Sequence, residues 1–203
     1  MAAYSRKRTI MLDQHALDTL FIEARTQRAW LDKPVTNGQL RDIYELMKWG
    51  PTAANCQPTR IAFVKSAEAK ERLAACVHEG NVEKVRTAPV TAIIGMDMAF
   101  TRKLAQLFPV ANAAEWYADD KVREETAFRN SSLQGGYFIM AARAVGLDCG
   151  PMSGFDADKV NAEFFTGTQV KANFICGLGY GDKEKLGPRL PRLTFEAACA
   201  IVL

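Results

Sequence analysis

A chain of 203 residues that is 48% hydrophobic and 24% charged has the size and composition of one globular domain with a full core. Its net charge of +3 is dispersed, with no basic stripe or arginine-rich run, which argues against nucleic acid as a partner. The five cysteines include no Cys-x-x-Cys, and His15 and His78 belong to no metal-binding or Ser-His-Asp pattern, which argues against a disulfide framework, a zinc site and a hydrolytic triad.

Residues 1–12 read as a basic tail carrying Arg6, Lys7 and Arg8 without a following apolar core or cleavage pattern, and residues 13–203 as one domain. The apolar run 89–95 is too short to span a bilayer and Arg143 interrupts the longest apolar helix, so no membrane segment is expected and the reducing cytoplasm suits the cysteines. Ala16, Leu17, Leu20, Phe21 and Ala24 form a 3.6-period stripe that predicts a helix over 13–24. At its end stand Arg25, Thr26 and Arg28. Two guanidinium groups and a hydroxyl there suit a phosphate, and equally suit the negative end of a helix macrodipole.

Thr36 and Gln39 read as a capping box for a helix through Leu40, Ile43, Tyr44 and Met47, closed by Gly50. Then comes Pro51-Thr52-Ala53-Ala54-Asn55-Cys56-Gln57-Pro58, leading into an extended run over 60–65. The Thr52 and Asn55 side chains and the Ala53 and Ala54 N–H groups offer donors and acceptors to a flat polar ligand. A plain helix-to-strand connection would need nothing more than the same residues. Ser66 caps a helix to about residue 77, with Gly80 as its exit, and Asn81 and Lys84 precede a strand over 89–97.

Residues 98–119 are irregular and aromatic, either a mobile flap or a packed insertion. A helix over 121–145 has a middle that is apolar nearly all round and contains Gly135 and Gly136, which predicts burial on every side and close approach of another backbone. Gly150-Pro151-Met152-Ser153-Gly154 then reads as a turn whose N–H groups can face a ligand, or simply as the lead-in to a helix capped by Asp156. The strand over 173–181 runs into Gly177, Gly179 and Gly181 at a spacing unlike a dinucleotide fingerprint. Arg189 and Arg192 follow, and an apolar tail over 194–203 is expected to pack on its own or a second subunit.

Five of these segments, in order, resemble the FMN-dependent nitroreductase family. The 51–58 loop is similar to its Pro-Ser-Ser-x-Asn-x-Gln-Pro segment, with Thr52 and Ala53 in place of the serines. That resemblance implies an α+β fold: a mainly antiparallel sheet flanked by helices, a long central helix, and an intertwined homodimer. It implies FMN as cofactor and NADH or NADPH as reductant, with Arg25, Thr26, Arg28, Arg189 and Arg192 on the phosphate. Asn81 and Lys84 would hold the flavin ring, Pro51, Thr52, Ala53 and Asn55 would lie against it across the dimer interface, and in the turn of Pro151, Met152, Ser153 and Gly154 the last two would carry the backbone N–H contact to its reactive nitrogen. A lysine near the ring favours its anionic reduced form by Coulomb attraction.

Within the family, the runs 125–132, 151–156 and 189–193 resemble the malonic semialdehyde reductases of pyrimidine breakdown. This implies a small aldehyde acid as substrate, with Arg129 as candidate partner of its carboxylate unless Glu125, one turn back, pairs with it. A general nitroaromatic or quinone reductase would share every flavin contact. A non-catalytic flavin-binding protein is the reading from another class.

Overall fold

Asp13 opens the first helix of the computed structural model, which describes residues 12–202; the basic tail expected over 1–12 lies outside them except for its last residue. The Asp13 carboxylate accepts the Ala16 N–H at 2.7 Å and caps α1 (Gln14–Leu17). The expected helix does not run on to residue 24. It widens into a π turn over Asp18–Ile22, where side chains from elsewhere take its carbonyls: Arg143 donates to Leu20 O at 2.7 Å and Arg189 to Ile22 O at 2.6 Å. Donors arriving from outside compete with the regular ladder.

The capping box at Thr36 and Gln39 forms as expected and starts α2 (Asn37–Met47), whose Leu40, Ile43 and Met47 are buried. A short 3-10 turn over Ala53–Asn55 leads to β1 (Thr59–Val64), and Ser66 caps α3 (Ala67–Ala74). A second helix, α4 (Glu79–Thr87), follows where the sequence suggested only an exit. Gly80 lies inside α4, and its propensity cost is offset by burial of Val85 and by the Arg86–Glu71 pair at 2.8 Å to α3. The next strand, β2 (Val90–Asp97), is buried along nearly its whole length.

Residues 98–119 form a packed insertion rather than a free flap. It contains 3-10 turns over Phe100–Lys103 and Ala113–Tyr117 and the short α5 (Leu104–Leu107). Phe100, Leu104, Ala113 and Tyr117 cluster with Cys56, Met96 and Ala127. The central helix α6 (Asp120–Ala144) is not buried all round. Phe138 and Ala142 face the core at 0% exposure, whereas Phe128, Leu133 and Tyr137 are 54%, 49% and 44% exposed.

Residues expected in a turn form an edge strand, β3 (Asp148–Met152); the missing N–H of Pro151 is tolerated there because an edge strand leaves one side unpaired. Asp156 caps α7 (Ala157–Phe164), β4 (Val170–Gly179) follows, a 3-10 turn spans Lys183–Lys185, and α8 (Phe195–Ala198) ends the described chain.

The sheet is antiparallel throughout, in the order β1-β2-β4-β3. Alternation divides its side chains between two layers. Val90, Ala92, Ile94, Cys176 and Leu178 join α2 and α6 on one face, while Ile93 and Ile175 join Leu73, Val85 and Val160 on the other. The glycines of β3 and β4 have a packing cause. Cβ atoms on Gly177 and Gly179 would stand 2.8 and 2.9 Å from the Trp30 ring, and one on Gly150 would meet Gln27 O at 2.6 Å. This glycine-rich stretch is therefore a slot for the segment after α1.

Candidate active site

The segment after α1 is laid against β3: Gln27 N–H donates to Cys149 O at 2.9 Å, and Thr26 bridges to Cys149 as a parallel strand pair. This places Arg25, Thr26 and Arg28 beside the start of β3. The Arg25 guanidinium donates to Gly187 O at 2.7 Å and Arg189 donates to Ala24 O at 3.2 Å, so the C-terminal segment is stitched to the same turn. Arg28 is exposed and, among the described residues, its side chain makes no hydrogen bond. Arg192 donates only to Leu190 O and Pro191 O of its own segment, at 3.1 Å each. Of the expected phosphate residues, four converge on one turn and Arg192 is tied within its own segment.

At the far end of β3 the chain reaches Ser153 and Gly154. Gly154 O accepts from Asn81 Nδ2 at 2.9 Å and from His78 N–H at 3.0 Å, and Lys84 Nζ donates to Asn81 Oδ1 at 2.8 Å. The two bonds fix which way the Asn81 amide points. A Cβ on Gly154 would sit 2.6 Å from Asn81 Nδ2, so this close approach requires glycine. Asn81 and Lys84, neighbours on α4, and the distant Gly154 form one polar knot with a cationic member. Pro151 and Ser153 are exposed and Met152 is half-buried. From Cys149 to Gly154, strand geometry spans about 17 Å, with the arginine turn at one end and the lysine knot at the other.

The 51–58 loop lies elsewhere. It precedes β1, the opposite edge of the sheet from β3, roughly 14 Å away by strand spacing. Among the described residues no hydrogen bond joins it to the arginine turn or to the lysine knot. Much of its polarity is used within the chain: Ala53 N–H donates to Asn130 Oδ1 at 2.8 Å, Thr52 Oγ1 accepts Gln57 N–H at 3.2 Å, and Asn55 Nδ2 donates to Leu107 O at 2.8 Å. Sequence reading missed Asn130 and Gln134; the available signal was two amides four residues apart, and so on one face of a helix.

Arg129 and Glu125 line an open groove of about 1130 Å³ along the exposed face of α6, together with Phe21, Phe128, Leu133 and Tyr137. The alternative ion pair with Glu125 does not form. Among the described residues no carboxylate lies within pairing distance of Arg129. Also among them, no three His, Cys, Asp or Glu side chains group to hold a metal, and no helix is long and apolar enough to cross a membrane.

The buried Cys56 and Cys176 are unsuited to nucleophilic work. Burial pushes the Cys56 thiol from 9.0 up to about 11, against a smaller opposing effect of its hydrogen bond with Thr52. A hydrogen bond with Cys149, together with burial, holds the Cys176 thiol well above its ordinary value. Since the folded pKa of Cys56 is raised, its contribution to stability is intact below pH 9 and is lost as pH rises through about 11. Iodoacetamide at pH 8 is expected to spare Cys56, Cys149 and Cys176 until the protein unfolds; rapid native labelling of any of them, read by peptide mass, would contradict this burial.

A model of the nitroreductase family matches residues 22–181. A protein of Polynucleobacter asymbioticus that carries the name NADH dehydrogenase/NAD(P)H nitroreductase is 58% identical over 193 residues, covering 95% of this chain and 98% of its own. Among solved structures, the nitroreductase ydfN of Bacillus subtilis superposes with a TM-score of 0.82 at 22% identity, over 94% of this chain and 100% of that one. A nitroreductase of Exiguobacterium sibiricum, solved in complex with FMN, superposes with a TM-score of 0.81 at 18% identity, over 96% and 99% of the two chains.

Proposed function

The chain belongs to the nitroreductase family, and from that premise we propose that it is an FMN-dependent oxidoreductase using NADH or NADPH. The observation that carries this reading is the placement of a cationic turn and an Asn-Lys-Gly knot at the two ends of β3. This donor set fits a flavin mononucleotide: Arg25, Thr26 and Arg28 for a phosphate dianion, and Asn81, Lys84 and the Ser153–Gly154 backbone for the heterocycle. It does not fit a dinucleotide loop, because Trp30 occupies the space over Gly177 and Gly179. When bound, FMN supplies the hydride chemistry that these side chains lack. Lys84 contributes a positive charge beside the ring and, through Asn81, keeps the amide oriented.

A second copy would complete the site. Loop 51–58 and β3 lie on opposite sheet edges of one chain, so Pro51, Thr52, Ala53 and Asn55 reach a β3 site only across a dimer. Two unpartnered surfaces support that assembly. One is the α6 stripe, and the other is the C-terminal segment over 188–202, which is exposed throughout and carries Leu190, Leu193 and Ile201 at 71%, 76% and 74% exposure. Apolar surface of this extent is a mark of an interface.

For substrate, we propose malonic semialdehyde, reduced to 3-hydroxypropanoate. The support is an exposed neutral Ser153 beside the lysine knot and the unpaired cation of Arg129 in the groove. The nitroaromatic or quinone reductase reading has its own support, the name carried by the 58% identical relative. The purified protein should be yellow, its flavin should bleach with NADH or NADPH, and malonic semialdehyde should outcompete a nitroarene for the electrons. Bound flavin that neither nucleotide bleaches would point to a non-catalytic flavin protein. Ser153→Glu should then lower kcat/KM for the aldehyde acid far more than for a neutral nitroarene, since like charges about 4 Å apart repel by roughly 4 kcal/mol at an effective dielectric of 20. Equal losses on both would leave Ser153 a shaping residue only.

A further inference from the structure

Three residues of the 51–58 loop stand in left-handed backbone despite carrying a Cβ: Ala54 at φ 47°, Asn55 at φ 48° and Gln57 at φ 39°. Such a cluster persists only where the surroundings over-determine it. The 98–119 insertion covers one side of it, through Leu107 O and the cluster around Cys56, and the inner face of α6 holds its backbone on the other. Asn130, 3% exposed, accepts the Ala53 N–H through Oδ1 at 2.8 Å, and its own Nδ2 is fixed by donation to Thr126 O at 2.8 Å. Gln134, one turn further on and 4% exposed, accepts the Thr59 N–H at 3.1 Å. The two amides grip the backbone just before and just after the strained residues. Neither acceptor serves a helix or sheet ladder, and an apolar side chain would fill either position without the desolvation cost of an amide.

We propose that Asn130 and Gln134 are positioning residues that hold the 51–58 loop in its strained form and so set how Pro51, Thr52, Ala53 and Asn55 meet the cofactor. This rests on the proposed function for its ligand, but the clamp itself belongs to the chain. Because Asn130 and Gln134 point inward from the same turns that carry Phe128, Leu133 and Tyr137 outward, the helix that seats a second copy also seats the loop.

The test uses full-length Asn130→Leu and Gln134→Met, which delete one acceptor each at similar volume, and Ala54→Gly, which removes the penalty of left-handed backbone. Amide hydrogen exchange should accelerate at least tenfold across 52–59 in either clamp variant, with β2 and β4 unchanged, and flavin-stripped protein should bind added FMN at least tenfold more weakly. Ala54→Gly should restore FMN affinity at least threefold in the Asn130→Leu background. A purely space-filling role predicts no such rescue. Unchanged loop exchange, or loosened exchange with unchanged FMN affinity, would overturn the proposal, and Gln134→Met decides it alone if Asn130→Leu does not fold. An unmodified protein that binds no flavin would instead sink the cofactor reading while the exchange data still judged the clamp.

Discussion

Replacing Arg25 and Arg28 together by methionine is expected to leave the purified protein colourless, with FMN affinity lowered by a factor of a hundred or more. Both residues stand on the turn laid against β3. Each charge-assisted hydrogen bond to a phosphate is worth roughly 1.5–3 kcal/mol, so losing two removes roughly 3–6 kcal/mol. Arg192→Met should change the affinity only a few-fold, because the hydrogen bonds of that guanidinium stay within its own segment and none ties it to the turn that carries Arg25 and Arg28. Arg189→Met should act differently again. It frees the Ile22 and Ala24 carbonyls and loosens the π turn, weakening FMN through geometry rather than charge. Ultrafiltration followed by flavin fluorescence measures all three, and full occupancy in the Arg25/Arg28 double variant at micromolar protein would remove the phosphate assignment.

Two adjacent glycines should give opposite results when each is changed to leucine. At Gly135 a Cβ would stand 2.4 Å from the Phe174 ring of β4, so Gly135→Leu should overpack the core and destabilise the fold by about 1–3 kcal/mol. The sequence had both glycines near a helix–helix contact; Gly135 instead faces its own sheet. At Gly136 nothing lies within 4 Å of the added atom. The lone chain would even gain roughly 1 kcal/mol of helix propensity. A loss at this position while the subunit stays folded therefore points to a second copy. Gly136→Leu is expected to shift a dimer toward monomer by about 1–3 kcal/mol of overpacking while the subunit stays folded. Sedimentation with urea denaturation separates the cases, and an unmodified protein that sediments as a monomer while holding FMN would end the dimer proposal.

The amino-acid order alone determined those features whose causes act within a few residues. Thr36 with Gln39, Ser66 and Asp156 each satisfy N–H groups three positions ahead, so the helix starts were legible without neighbours. The buried strands β2 and β4 were equally legible from their apolar runs. Gly80, in contrast, looked like a helix end and lies inside α4, because distant packing outweighs about 1 kcal/mol of propensity. The strand β3 was hidden because Pro151 reads as a turn residue, and only an edge position beside β4 accommodates it. Which side of α6 meets the core depends on the sheet and α2, and why Gly177 and Gly179 are glycines and where Arg189 points depend on Trp30 and Ile22, more than a hundred residues away. The candidate site divides in the same way. Its residue types were readable in order along the chain, but the joining of Asn81 to Gly154 and the separation of loop 51–58 from β3 were decided by tertiary structure, because strand order sets which edges meet and no local signal encodes it.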